Sequence, residues 1–220
     1  FINNHADRAG GAIYAGTAVN CVFINNSAGL NGGAIYMGST RDCTFINNAA
    51  MFGRAVSGED SHYSQNCTFI NNSAKNYGGA LIHVKVSKGI FEGNHAGSTG
   101  GAVCDSIVIN SIFTNNDAGI YGGAIYESEV GDSLFEYNSA WIGGAIGETK
   151  ATNCTFNHNK ADEYGGAAYT SEISTDCRLY NNTENDTYKC TYFVNEKSFR
   201  DLNDLIENGS DEIYLSDNYL

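Results

Sequence analysis

The chain has no proline, a single Trp and two Met, and only 12 Lys and Arg to set against 25 Asp and Glu among its 220 residues. The formal charge of -13 argues against a nucleic-acid partner, because a phosphate backbone is bound by a basic face. No run of about 18 apolar residues occurs, so the sequence offers no membrane-spanning helix. There is no initiator Met and no signal peptide, and Phe1 falls inside a repeat, so the chain reads as part of a longer polypeptide. Without proline, tight turns must be built from other residues. The 26 Gly and 27 Asn supply them, since both adopt backbone conformations that other side chains resist.

What is present is a repeat. A phenylalanine recurs at Phe1, Phe23, Phe45, Phe69, Phe91, Phe113, Phe135 and Phe156, with Leu179 in ninth place, at intervals of 21 to 24 residues. Three residues after each stands an asparagine, from Asn4, Asn26 and Asn48 to Asn182, and five residues after stands an alanine in all but the last. A glycine pair follows, as in Gly32-Gly33 and Gly122-Gly123, becoming Gly53-Arg54 once. A fixed period of this length marks a solenoid.

The apolar runs are four or five residues long and bounded by Gly, Asn, Ser and Asp, which reads as short strands rather than helix. Phe23 and its equivalents are expected inside, and so are Ile13, Ile35, Val56, Leu81, Val103, Ile125, Ile146 and Ala168. The position after each of these (Tyr14, Tyr36, Ser57, Ile82, Cys104, Tyr126, Gly147, Tyr169) is expected outside. An asparagine at an inward turn can donate its amide to one neighbouring coil and accept from the other, giving a ladder. The columns together predict an all-β parallel β-helix of about eight coils of ~22 residues. It is expected to be right-handed, as parallel crossovers are.

Five cysteines (Cys21, Cys43, Cys67, Cys154, Cys177) sit two residues before the repeating apolar position. Coils stacked about 4.8 Å apart hold such thiols beyond disulfide reach, so they are expected free and buried. A Cys177–Cys190 pair across the end of the solenoid stays open. Residues 1–190 form the repeat domain. Residues 191–220 read as strand, helix and strand: Ser198 caps an amphipathic helix that closes at Gly209. This segment either caps the solenoid or opens a following domain.

The phrase Phe-x-x-Asn followed by Gly-Gly-Ala-Ile, as in Phe23 to Asn26 with Gly32 to Ile35, resembles the repeat of the polymorphic outer-membrane proteins. The fuller phrase from Cys67 to Ala74 resembles adhesin-like surface proteins of methanogens. The resemblance covers about residues 1 to 182. It implies a pectin-lyase-like right-handed β-helix at the cell surface, but its residues are structural and supply no ligand or catalytic group.

Three departures from the repeat are candidate sites. His83, Asp105, Glu127 and Glu148 form a column five residues after the first glycine on four successive coils. Stacked carboxylates repel, and a raised pKa or a shared cation relieves them, so Asp105, Glu127 and Glu148 are the candidate ligands for calcium. No other cofactor is indicated. Their spacing also permits glycosidase chemistry, although a solvated acidic edge on an acidic protein is the simpler explanation of the column. The second departure is coil three, where Arg54 replaces a glycine and an insertion brings in Glu59, Asp60, His62 and Tyr63, the mark of a surface loop. The third is an aromatic stripe, Phe52, Tyr77, Tyr121, Trp141 and Tyr164, suited to sugar or protein contact, or else to stacking on itself. Seven Asn-x-Ser/Thr sequons occur, at Asn25, Asn66, Asn71, Asn153, Asn181, Asn185 and Asn208.

The preferred reading is a non-catalytic, extracellular, adhesin-like surface β-helix that binds glycans or proteins. A polysaccharide lyase or glycoside hydrolase of pectin-lyase-like fold is the alternative, and a structural spacer the third.

Overall fold

A computed structural model describes residues 1–51, 55–59, 61–183 and 185–194, together with the backbone of a short strand at Ile213–Tyr214. The chain is a parallel β-solenoid, and no helix occurs among the described residues. Each coil adds a strand around the phenylalanine, such as Val22–Ile24, to one eight-stranded sheet. It adds a strand around the alanine, such as Ser27–Ala28, to a second. The rest of the coil enters a long third sheet of 17 strands. All pairings are parallel, and outside two irregularities after Ala118 and Ala140 they keep register, Phe23 with Phe45 and Ala28 with Ala50, so each column of the sequence becomes a column in space.

The phenylalanines from Phe23 to Phe156 are fully buried. Their rings stack 4.6 to 5.0 Å apart and within 10° of parallel. Ile35, Val56, Leu81, Val103, Ile125, Ile146 and Ala168 line the facing wall with no exposure. Each such side chain withdrawn from water contributes about 1.5 to 3 kcal/mol. No coil can bury its own, so the stack is the unit of stability.

The asparagine column is a ladder with no free group. Asn48 Nδ2 donates to Asn72 Oδ1 at 3.0 Å and to the Phe23 carbonyl at 3.0 Å, while the Asn48 backbone N–H donates to the same Asn72 oxygen at 2.9 Å. The pattern repeats with little change up to Asn159 and Asn182. Two donors and a twice-used acceptor satisfy the whole amide, which is how Asn26 to Asn159 stay buried.

The cysteine column has a similar logic, and it explains why serine shares it. The Cys43 backbone N–H donates to Cys67 Sγ at 3.4 Å, and the Cys67 thiol donates to the Gln65 carbonyl at 3.2 Å. Serine reproduces both bonds: Ser111 N–H donates to Ser133 Oγ at 3.0 Å, and the Ser133 hydroxyl donates to the Gly131 carbonyl at 2.7 Å. The position needs a small side chain that both accepts and donates, and thiol and hydroxyl meet that need equally. None of the seven cysteines is joined in a disulfide. Cys190, with its thiol on the Tyr188 carbonyl, occupies a different corner from Cys177, whose sulfur accepts from the Cys154 N–H at 3.3 Å.

The first glycine of each pair has a positive φ, +60° at Gly32, Gly100 and Gly122. The second lies so close to the next coil that a Cβ on Gly101 would sit 2.0 Å from the Gly123 carbonyl oxygen. This corner folds back over the third sheet and corrects one expectation. The position after the inner aliphatic is not uniformly outward: Tyr14 is exposed, but Ser57, Ile82 and Cys104 are buried. A Cβ on Gly100 would touch the Cβ of Cys104 at 3.3 Å, so the turn itself covers this column.

Beyond residue 190, Thr191–Phe193 pairs with Glu172–Ser174, and Ile213–Tyr214 pairs in turn with Tyr192 and Phe193. The helix expected at 198–209 lies outside the described residues, as do Phe52, Arg54 and Asp60.

Candidate functional site

Besides the glycine corner, most coils are closed at three corners by a non-glycine residue at φ near +50°. After the phenylalanine strand, asparagine recurs there, at Asn3, Asn25, Asn47, Asn71, Asn115 and Asn181. Before the cysteine column it recurs again, at Asn20, Asn66, Asn110 and Asn153. Asparagine is the ordinary choice, since its short amide tolerates the left-handed region. The corner in the middle of the third sheet holds none. There the residues are Ala15, Met37, His83, Asp105, Glu127, Glu148, Thr170 and Lys189, at φ between 45° and 56°. Glutamate and above all threonine are poor residues for this conformation, so backbone preference did not choose them.

An open groove of about 970 Å³ runs along this corner. One row of its lining is His83, Asp105, Glu127, Glu148 and Thr170, and a second row, two residues further on, is Lys85, Ile107, Glu129, Lys150 and Glu172. Between them Ser106, Ser128 and Thr149 form the floor, their hydroxyls donating to the carbonyl two residues back, at 2.9 Å for Ser128 to Tyr126. The backbone N–H of one coil donates to the hydroxyl of the next, 3.1 Å from Ser106 to Ser128. The floor is rigid because it is the same ladder as at the cysteine corner.

The acidic column therefore lines one side of an open groove, its side chains still exposed to solvent. His83 Nε2 and Asp105 Oδ2 lie 2.8 Å apart at one end, and Lys150 and Glu172 pair at 3.8 Å toward the other. Partial burial, then the neighbouring Glu148 and Asp105, push the Glu127 carboxyl above the ordinary carboxylate range. Burial, then its hydrogen bond to Glu148, raises the Tyr126 phenol. Among the described residues no group of three or more His, Cys, Asp or Glu is placed to hold a metal ion.

The aromatic stripe splits. Tyr77, Tyr121 and Tyr164 fall on alternate coils, with Thr99 and Ile142 between them. Tyr121 and Tyr164 belong to a continuous stack in the order Tyr126, Tyr121, Tyr169, Tyr188, Tyr164, with centroids 4.5 to 6.0 Å apart. Trp141 and Tyr77, about half exposed at 53% and 46%, have no ring stacked on them among the described residues. In coil three, the Glu59 backbone N–H donates to His62 Nδ1 at 2.9 Å and Tyr63 is exposed.

Sequence reasoning found the acidic row and placed Tyr126 on the outer surface but missed Lys85, Lys150, Glu129 and Glu172. The signal for the second row was its offset of two residues from the first, legible only once the corner between them is known.

The class defined by these features is a parallel β-solenoid repeat protein with an acidic groove at one corner. The model of the Chlamydia polymorphic membrane protein repeat matches the chain at residues 1–16, 20–38, 66–81 and 153–171. Those stretches carry the phenylalanine, asparagine and glycine columns, so the chain is similar to that repeat where the columns are most regular. No curated protein and no solved structure matches the chain.

Proposed function

We propose that this chain is a non-catalytic, adhesin-like segment of an extracellular cell-surface protein, of right-handed, pectin-lyase-like hand and class, which holds an extended ligand along its acidic groove. The observation that carries this reading is the composition of the middle corner. Two corners mostly use asparagine where the backbone is left-handed, with Gly93, Tyr137 and His158 departing at one and Asp42, Lys88 and Asp132 at the other, whereas the third holds no asparagine and carries His83, Asp105, Glu127 and Glu148 on successive coils at a conformational cost. Those side chains line the groove. A surface repeat protein is also what the polymorphic membrane protein repeat suggests. A ligand lying along the coils meets a new carboxylate at each step, and many weak contacts add. The charge suits glycans or protein segments that present amines or hydroxyl donors, with Trp141 and Tyr77 as free aromatic faces nearby.

The test is a glycan array and a partner-binding assay run beside a polysaccharide degradation assay. Binding that is lost in Glu127→Gln with Glu148→Gln, without cleavage, supports the reading. Depolymerisation abolished by Asp105→Asn or Glu127→Gln replaces it with an enzyme, for which the raised Glu127 carboxyl would be the general acid. Neither binding nor cleavage leaves a spacer.

A second reading is calcium drawing together Asp105, Glu127 and Glu148, which are not gathered as a ready-made cluster; it would relieve a Glu127 carboxyl raised first by burial and then by its two acidic neighbours. Calcium that raises the melting temperature of the parent but not of an Asp105→Asn, Glu127→Gln, Glu148→Gln variant would support it.

A further inference from the structure

The repeat register sorts the asparagines into ladder and corner kinds, and five of the six described sequons fall on corners beside the phenylalanine strand; the sixth, Asn185, lies in the last coil at the corner that the glycine pair fills elsewhere. A ladder asparagine is followed two residues later by the buried alanine column, as Asn26 by Ala28 and Asn72 by Ala74, so it is not a sequon. A corner asparagine of the five sequons is followed two residues later by a partly exposed strand residue, or, after Asn181, by an exposed residue outside any strand. That residue is Ser27 after Asn25, Thr68 after Asn66, Ser73 after Asn71, Thr155 after Asn153 and Thr183 after Asn181. Each of these five corner asparagines is exposed, at φ between 48° and 58°.

We propose that these corners are N-glycosylation sites, and that the glycans stand on two ridges flanking the phenylalanine sheet while the groove face stays bare. Asn25, Asn71 and Asn181 make one ridge, where the phenylalanine strand ends. Asn66 and Asn153 make the other, before the cysteine column. The chemistry suits the corners and not the ladder. Glycosylation replaces one of the two Nδ2 hydrogens, and the other is left to donate. Asn66 Nδ2 then keeps its bond to Asp42 Oδ1 at 2.7 Å, Asn153 its bond to Asp132 at 2.7 Å and Asn181 its bond to Asn157 at 3.2 Å. Ladder amides such as Asn72 use both hydrogens and have no room. No described sequon falls on the groove corner, and none occurs between Asn71 and Asn153, the span that holds most of the groove. Bulky, hydrated modifications on the ridges would keep the solenoid soluble without obstructing the ligand.

The proposal rests on the surface location above but not on groove binding, and its readout needs no ligand. The chain is secreted from an N-glycosylating host and its peptides are analysed by mass spectrometry. Glycan mass on Asn25, Asn66, Asn71 and Asn153, removed one site at a time by Asn→Gln with an unchanged circular dichroism spectrum, is expected. Unmodified peptides at all four in a folded, secreted chain overturn the proposal, as does glycan on the ladder residues Asn26 or Asn72.

Discussion

The ring of Tyr121 stacks on that of Tyr169, two coils further along, with 5.7 Å between centroids. Gly147 stands between Tyr126 and Tyr169 in their column, and a Cβ there would meet the Tyr126 ring at 3.0 Å, so the missing side chain lets the tyrosines on either side gather with Tyr121 into one stack. Tyr121 is thus a packing residue, unlike Trp141.

Tyr121→Ala is expected to lower stability by about 1 to 3 kcal/mol, from lost stacking and burial. Trp141→Ala should stay within about 0.5 kcal/mol. Urea titration of the two variants checks this, and equal losses would show that Trp141 is packed as well.

Adjacent asparagines should differ sharply. Asn72→Ala removes the acceptor of the Asn48 N–H and Nδ2 and the donor to the Phe45 carbonyl. At about 1 to 3 kcal/mol for each buried group left unpaired, the melting temperature should fall steeply. Asn71→Gly, at an exposed left-handed corner that glycine accepts, should change little.

At the cysteine corner, Cys67→Ser is expected to remain close to the parent, because Ser111 and Ser133 make the same two bonds. Cys67→Val, which fills the space but leaves the Cys43 N–H without its acceptor, should cost about 1 to 3 kcal/mol. Thermal melts under reducing conditions compare them. A serine variant as poor as valine would refute the shared role.

Glu127 holds its proton more tightly in the folded chain than an ordinary glutamate does. The folded state therefore binds more protons than the unfolded state between the ordinary carboxyl range and the raised value. Stability from this group is present below that window and is lost as the pH rises through it. Glu127→Gln should flatten this fall and stabilise the chain at neutral pH. Melts from pH 4 to 8 read the difference, and a variant as pH-sensitive as the parent in that window would rule out Glu127 as its source.

The repeat itself determined the stacked Phe column, the buried inner aliphatics and the Asn ladder. In a parallel in-register stack, identical residues at a fixed interval have no choice but to meet, so position in the period is position in space. The same argument placed the thiols apart from one another, although their hydrogen-bonding role at the corner appeared only with the backbone around them. The groove was decided by tertiary structure. His83, Asp105, Glu127 and Glu148 form a legible column, but whether a column lies on a ridge or beside a groove depends on the backbone angle at its corner, and residues of this kind do not encode a positive φ. Gly147 and Tyr121 make the same point: a ring's partner lies two coils away, and only packing determines which rings it joins.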